Sequence, residues 1–185
     1  MLGALGSHLL DLARWLAGRI DGLSAQLQIA HLLRENPQDG SQQQVTADDY
    51  AQIQLHFANG QPGTITASAM TPGGYGMSIL AVGTQGALRL DNQDQLWGAQ
   101  GEDLYKGNWQ PLPVEPLAPA LAAYRTVNHS PFVIGSFYLA QRVAAALATG
   151  ETIIEEAASF YDGLVVQRMI DGARRSHQER RWVAF

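Results

Sequence analysis

Three stretches of this chain alternate apolar and polar residues one by one, and this period of two constrains the fold more than any other feature. Leu23, Ala25, Leu27 and Ile29, continuing to His31 and Leu33, alternate with Ser24, Gln26, Gln28 and Arg34; Ala51, Ile53, Leu55 and Phe57 alternate with Gln52 and Gln54; Ile65, Ala67 and Ala69 alternate with Thr64, Thr66 and Ser68. Successive side chains of a strand point to opposite faces, so each run is a half-buried strand with one apolar and one polar side. The second and third are joined through Asn59-Gly60, which predicts a hairpin. The polar side, Gln26, Gln28, Gln52, Gln54, Thr64, Thr66 and Ser68, can simply be wetted, as one face of an antiparallel sheet often is. It can equally meet a second copy of itself across a two-fold axis.

Around this sheet the periodicity is helical. Leu9, Leu12, Ala13 and Leu16 recur on one face, with Ser7 placed to cap the start and Gly18 to end it. Residues 132–148 and 155–176 predict two further helices, the second with Leu164, Met169 and Ile170 in its apolar set. NPQDGSQQQ and TPGGYG read as loops, GTQG as a tight link between two strands, Gln95 to Gly98 as a further strand, and RWVAF as a short edge strand. The segment from Asp91 to Asn128 carries Trp97, Tyr105, Trp109 and Tyr124 among prolines and polar residues, and reads as short strands and an extended crossing stretch. Helix, strands, then two helices give an α+β fold: an open, largely antiparallel sheet with helices packed on one face. Over 185 residues the expectation is a single domain spanning 1–185.

Composition narrows the function. With 46% hydrophobic and 16% charged residues the chain is globular, and a net charge of −5 with one short basic cluster, ARRSHQERR, argues against nucleic acid. There is no cysteine, so thiolate chemistry and disulfides are excluded. The first apolar run, Leu2 to Ala17, is interrupted by Ser7, His8, Asp11 and Arg14 and is too short to span a bilayer, which points to no membrane and a cytoplasmic protein. The other histidines, His31, His56, His129 and His177, show no ligand spacing, and no metal site is expected. No phosphate-cradling motif is present.

One pair remains. His8 and Asp11 lie one turn apart on a helix face shared with Trp15. An imidazole titrates near about 6.5, so it can exchange a proton near neutrality, and a carboxylate one turn away can fix its tautomer. The same spacing is also that of an ordinary helix start with polar residues at its mouth. Tyr75, Lys106 and His129 could line a pocket but read better as loop residues.

GALGSHLLDLARWLAG, DDYAQIQLHFANGQPGTITAS, VGTQGALRLD and FYDGLVVQRMIDGARRSHQERRWVAF follow one another in an order that resembles the C-terminal domain of the Gfo/Idh/MocA oxidoreductases, the family of glucose-fructose oxidoreductase and inositol dehydrogenase. The resemblance spans nearly the whole chain. It implies a domain for substrate binding and homo-oligomerisation, accompanied by an N-terminal Rossmann domain that holds NAD or NADP and supplies a lysine from a Glu-Lys-Pro motif. His8 falls on the family's active-site histidine in the pattern Asp-x-Gly-x-His-x-x-Asp. Gly6 and Asp11 match that pattern, and Ala4 stands where its first acid belongs. His8 is thereby expected to take or hold the hydroxyl proton of a sugar- or polyol-like substrate as hydride leaves for the nicotinamide, with Asp11 as a substrate-binding companion. The 185 residues are expected to be the C-terminal part of a longer oxidoreductase, binding no cofactor and inactive by themselves. The alternative is a non-catalytic module for self-association or a protein partner, which Ala4 keeps open.

Overall fold

In a computed structural model, which describes residues 1–71, 76–119, 121–122 and 131–185, the chain is α+β. It forms two compact units, Met1–Thr71 with Glu155–Phe185, and Pro72–Ile154.

The first unit is built on the alternating runs. Strands β1 (Ile20–Gln28), β4 (Tyr50–Phe57) and β5 (Pro62–Ser68) pair antiparallel, and β10 (Val183–Ala184) closes the edge in the order β10-β1-β4-β5. Ile53 lies between Ala25 and Ile65 in register, and Gln52 between Gln26 and Thr66, so each face of the sheet keeps one chemistry. Helix α1 (Ser7–Ala17) and helix α4 (Phe160–Glu179) supply Leu10, Val166, Met169, Ile170 and Ala173 to the same buried cluster as the apolar face. The face of Gln26, Gln52, Gln54, Thr64 and Thr66 is exposed. At the hairpin turn Gly60 takes φ +84°, a left-handed conformation that glycine enters without steric cost, and Asn59 accepts from the Gln61 N–H at 3.1 Å.

Several elements depart from expectation for visible reasons. The first strand stops at Gln28 instead of running to Leu33, because Asp49 Oδ2 accepts the N–H groups of Ala30 and His31 at 3.1 and 3.2 Å and bends the chain out of the ladder. His31 is therefore not a strand residue. The loop read into NPQDGSQQQ ends in a two-stranded ribbon, β2 (Leu33–Glu35) with β3 (Gln42–Gln44). Ser7 is no cap: residues Leu2–Gly6 form a π turn that runs into α1, the Gly6 N–H donates to Met1 O at 3.1 Å, and Ser7 Oγ donates to Ala4 O at 2.7 Å. The buried side of α1 is Leu2, Gly6 and Leu10, with Leu9 and Ala13 half-buried, while Leu16 is exposed. Helix α4 starts at Phe160 rather than 155 because Ser159 and Asp162 form a capping box, and Leu164 lies on its exposed side.

Two polar residues are buried within this unit. Ser176, on α4, accepts from the Ala25 N–H at 3.0 Å and donates to Arg181 O at 2.6 Å, which ties the helix to β1 and to the turn before β10. Asp49 accepts the two backbone N–H groups and pairs with Arg34. The His31 and Ala30 N–H groups and the Arg34 charge outweigh burial and hold the Asp49 carboxyl below the usual carboxylate range. A depressed carboxylate contributes stability that is complete above its unfolded pKa, about 3.9, and is lost as pH falls through the lower folded value. Thermal melting followed from pH 7 to pH 2 is therefore expected to hold until about pH 4 and fall below it. Asp49→Asn should melt lower at pH 7 and show a shallower acid limb; an acid limb as steep as the wild type's would exclude Asp49 as its source.

The second unit carries an antiparallel sheet in the order β6-β7-β8-β9, from β6 (Ile79–Val82), β7 (Gly86–Leu90), β8 (Leu96–Gln100) and β9 (Gln110–Pro111). GTQG links β6 to β7 as expected, with the Gly83 N–H donating to Gly86 O at 2.8 Å. Helix α2 (Glu102–Lys106) follows β8, and α3 (Pro131–Thr149) is long and apolar enough to cross a membrane, with Phe132, Phe137, Leu139 and Leu147 exposed. Tyr75, Tyr124 and His129, and most of the TPGGYG loop, lie outside the described residues.

Candidate functional site

The π turn and α1 form one continuous helical start, and the two residues singled out in the sequence sit on its first turns. His8 is exposed. Asp11, half-buried, accepts from Arg14 Nη1 at 3.3 Å, and the same guanidinium reaches Asp162 Oδ1 at 3.3 Å from both terminal nitrogens. Arg14 is only 17% exposed, so its pairings are sheltered from bulk water. Asp162 also accepts from Ser159 as the return half of the capping box; those hydrogen bonds, with Arg14 adding its charge, hold its carboxyl below the usual range.

The carboxylate beside His8 is thus fixed through Arg14 to the N-terminal end of α4. The sequence reading passed over Arg14, although its i, i+3 spacing from Asp11 carried the signal. Around His8 the outward surface is apolar: Leu5 and Leu16 are exposed, and so is Trp15 at 68%. A Cβ at Gly6 would lie 3.3 Å from Cδ1 of the fully buried Leu2 in the same π turn, so glycine leaves that side chain its space. Ala4, in the π turn, offers no acid, and its carbonyl serves Ser7.

The other residues weighed for chemistry fall elsewhere. Lys106 is exposed on α2 and pairs with Glu102 at 2.6 Å. His56, in β4, meets Asp21 with Nδ1 and Oδ1 2.7 Å apart, across a β-bulge between Ile20 and Gly22. This pair borders an open cavity of about 430 Å³ with Gly22, Trp182, Val183 and Ala184, on the exposed side of the sheet. Spacing offers no cue for two residues 35 positions apart whose meeting depends on the bulge.

The GFO/IDH/MocA C-terminal domain model matches residues 1–89, the stretch that holds α1, strands β1, β4 and β5 of the first sheet, and β6 with most of β7 of the second. Over those residues the chain is similar to the GFO/IDH/MocA C-terminal domain. An uncharacterized oxidoreductase of Synechocystis is 30% identical over 187 residues, covering 99% of this chain and 49% of that protein. Human glucose-fructose oxidoreductase domain-containing protein 2 is 26% identical over 202 residues, with the same coverage of 99% and 49%. The chain spans about half the length of the curated relatives it matches. Among solved structures, an NAD-binding oxidoreductase from Klebsiella pneumoniae is similar at 27% identity and a TM-score of 0.78, over 99% of this chain and 50% of that one. Levoglucosan dehydrogenase in complex with NADH and L-sorbose has the same fold at a TM-score of 0.80 and 22% identity, over 99% of this chain and 49% of that one. The α+β fold expected from the alternating runs is the one these solved structures share over this length.

Proposed function

We propose that this chain is the substrate-binding and oligomerisation part of an NAD(P)-dependent oxidoreductase that acts on a sugar- or polyol-like substrate. The observation that carries the reading is the surface around His8. The exposed imidazole of His8 stands on a helix flank with Leu5, Trp15 and Leu16 outward, in a chain that corresponds to half of its relatives. An apolar flank of this kind is an interface surface. Covered by a nucleotide-binding half, it would place His8 between substrate and nicotinamide.

In that setting His8 takes the hydroxyl proton, or holds the hydroxyl, as hydride leaves the carbinol carbon. Asp11, oriented by Arg14, contacts the substrate or keeps the imidazole aligned. The nicotinamide, when bound, supplies the hydride acceptor. NAD binding by the Klebsiella protein and the NADH and sorbose bound to levoglucosan dehydrogenase support this choice of cofactor and substrate class. The 185-residue chain alone is expected to give no heat on calorimetric titration with NADH or NADPH and no turnover with a polyol panel. Saturable nucleotide binding with turnover would overturn the reading.

The polar sheet face is proposed as the homodimer contact. Gln26, Gln52, Gln54, Thr64 and Thr66 form a flat exposed field of neutral donors and acceptors, which can pair with an identical field across a two-fold axis. Sedimentation at micromolar concentration should return twice the chain mass, and Thr66→Arg, which places a charge in mid-field, should return a monomer. A wild-type monomer would exclude the dimer. The second reading, a non-catalytic association module, is favoured by Ala4 in place of the pattern's first acid. Inactivity of the full-length protein with an intact dimer would select it.

A further inference from the structure

The tryptophans of the segment after Asp91 gather on an arginine. Arg89, in β7, lies directly opposite Trp97 of β8, and its guanidinium carbon stands 5.4 Å from the centre of the Trp97 ring and 4.9 Å from that of Trp109. The Trp97 ring is held in place. Its indole N–H donates to Asp91 Oδ2 at 2.8 Å, while Asp91 Oδ1 accepts from the N–H groups of Gln93 and Gln95, each at 2.9 Å. Trp109 follows the left-handed Gly107 (φ +70°) that ends α2, and its backbone N–H donates to Gly107 O at 3.1 Å.

The Asp91 carboxylate is bound to its own turn and to an indole, and these hydrogen bonds, with the Arg89 charge adding to them, hold it below the usual carboxylate range. Arg89 Nε is shut away from solvent without an acceptor. An arginine kept only for the fold would normally give a buried N–H to a carbonyl or carboxylate. This one is walled by two indoles instead, which support a cation without using its donors.

We propose that Arg89, with Trp97 and Trp109 as walls, is the recognition group of a binding site for a small monocarboxylate, independent of the His8 reading. A guanidinium with aromatic rings against it offers its in-plane N–H edge, and a planar carboxylate matches that edge with two parallel hydrogen bonds. The rings exclude water and so strengthen the pairing. Asp91, on the adjoining turn, repels a dianion more than a monoanion, which sets carboxylate above phosphate.

The test follows the four indole N–H resonances of the 185-residue chain during titration with sodium propionate at constant ionic strength. Trp97 and Trp109 are expected to shift and saturate while Trp15 and Trp182 stay in place. Arg89→Lys, which keeps the charge and loses the fork, is expected to weaken binding at least about tenfold with an unchanged far-ultraviolet dichroism spectrum. Inorganic phosphate should give no saturable shift. Non-saturating drift, equal shifts at all four indoles, binding by Arg89→Lys as tight as the wild type's, or tighter binding of phosphate would each overturn the site. If Arg89→Lys does not fold, the wild-type titrations decide between these outcomes alone.

Discussion

Replacing His8 by asparagine in the proposed full-length oxidoreductase is expected to lower kcat by about 10²- to 10⁴-fold, the range over which a positioned acid or base contributes. The magnitude follows from the role. When hydride leaves a carbinol carbon, the hydroxyl proton must go somewhere, and asparagine can hold the oxygen without accepting that proton. His8 is exposed on α1, and no buried core residue is replaced. The loss should therefore appear in kcat with the dimer and the melting temperature unchanged. Arg14→Gln should act more mildly and through position, because it releases both Asp11 and Asp162. A loss confined to thermal stability would make Arg14 a structural tie only.

The largest stability effect is expected at Ile53→Ala, which should cost about 2–5 kcal/mol. Ile53 is fully buried in β4, between Ala25 of β1 and Ile65 of β5, in the core cluster that also holds Met169 and Ile170 of α4. Its neighbours across the ladder include an alanine, so little side chain is at hand to close the gap, and the cost should lie high in that range. Denaturant unfolding measures it directly: the midpoint should fall with an unchanged slope. A shift worth less than about 1 kcal/mol would mean that the core collapses around the deletion.

The period-two runs made the first sheet legible because alternation, pairing and burial are local consequences of one rule. β4, β5 and the turn between them stand where the sequence placed them. What was not legible depended on partners remote in sequence. Asp49 ends the first strand from nineteen residues away, and Ser176 reaches Ala25 across 151. The buried side of α1 was misread because Leu9, Leu12, Ala13 and Leu16 are as regular as Leu2, Gly6 and Leu10, and only the π turn, with its longer bonding step, selects between the two rows. At the candidate site, the placement of His8 and Asp11 one turn apart on one helix was legible from spacing. The tie of Asp11 through Arg14 to Asp162 was not, since it closes a contact between the two ends of the chain.

The central claim is that His8 serves a hydride transfer completed by the other half of a longer protein. Deuterium transfer tests it most directly, with carbinol-deuterated polyols, the full-length protein and oxidised nicotinamide nucleotide followed by nuclear magnetic resonance. The account predicts that the label arrives at the nicotinamide C4 position with the wild type and at least about a hundredfold more slowly with His8→Asn. Reduced nucleotide that carries no label, or label transferred equally fast by His8→Asn, would contradict it.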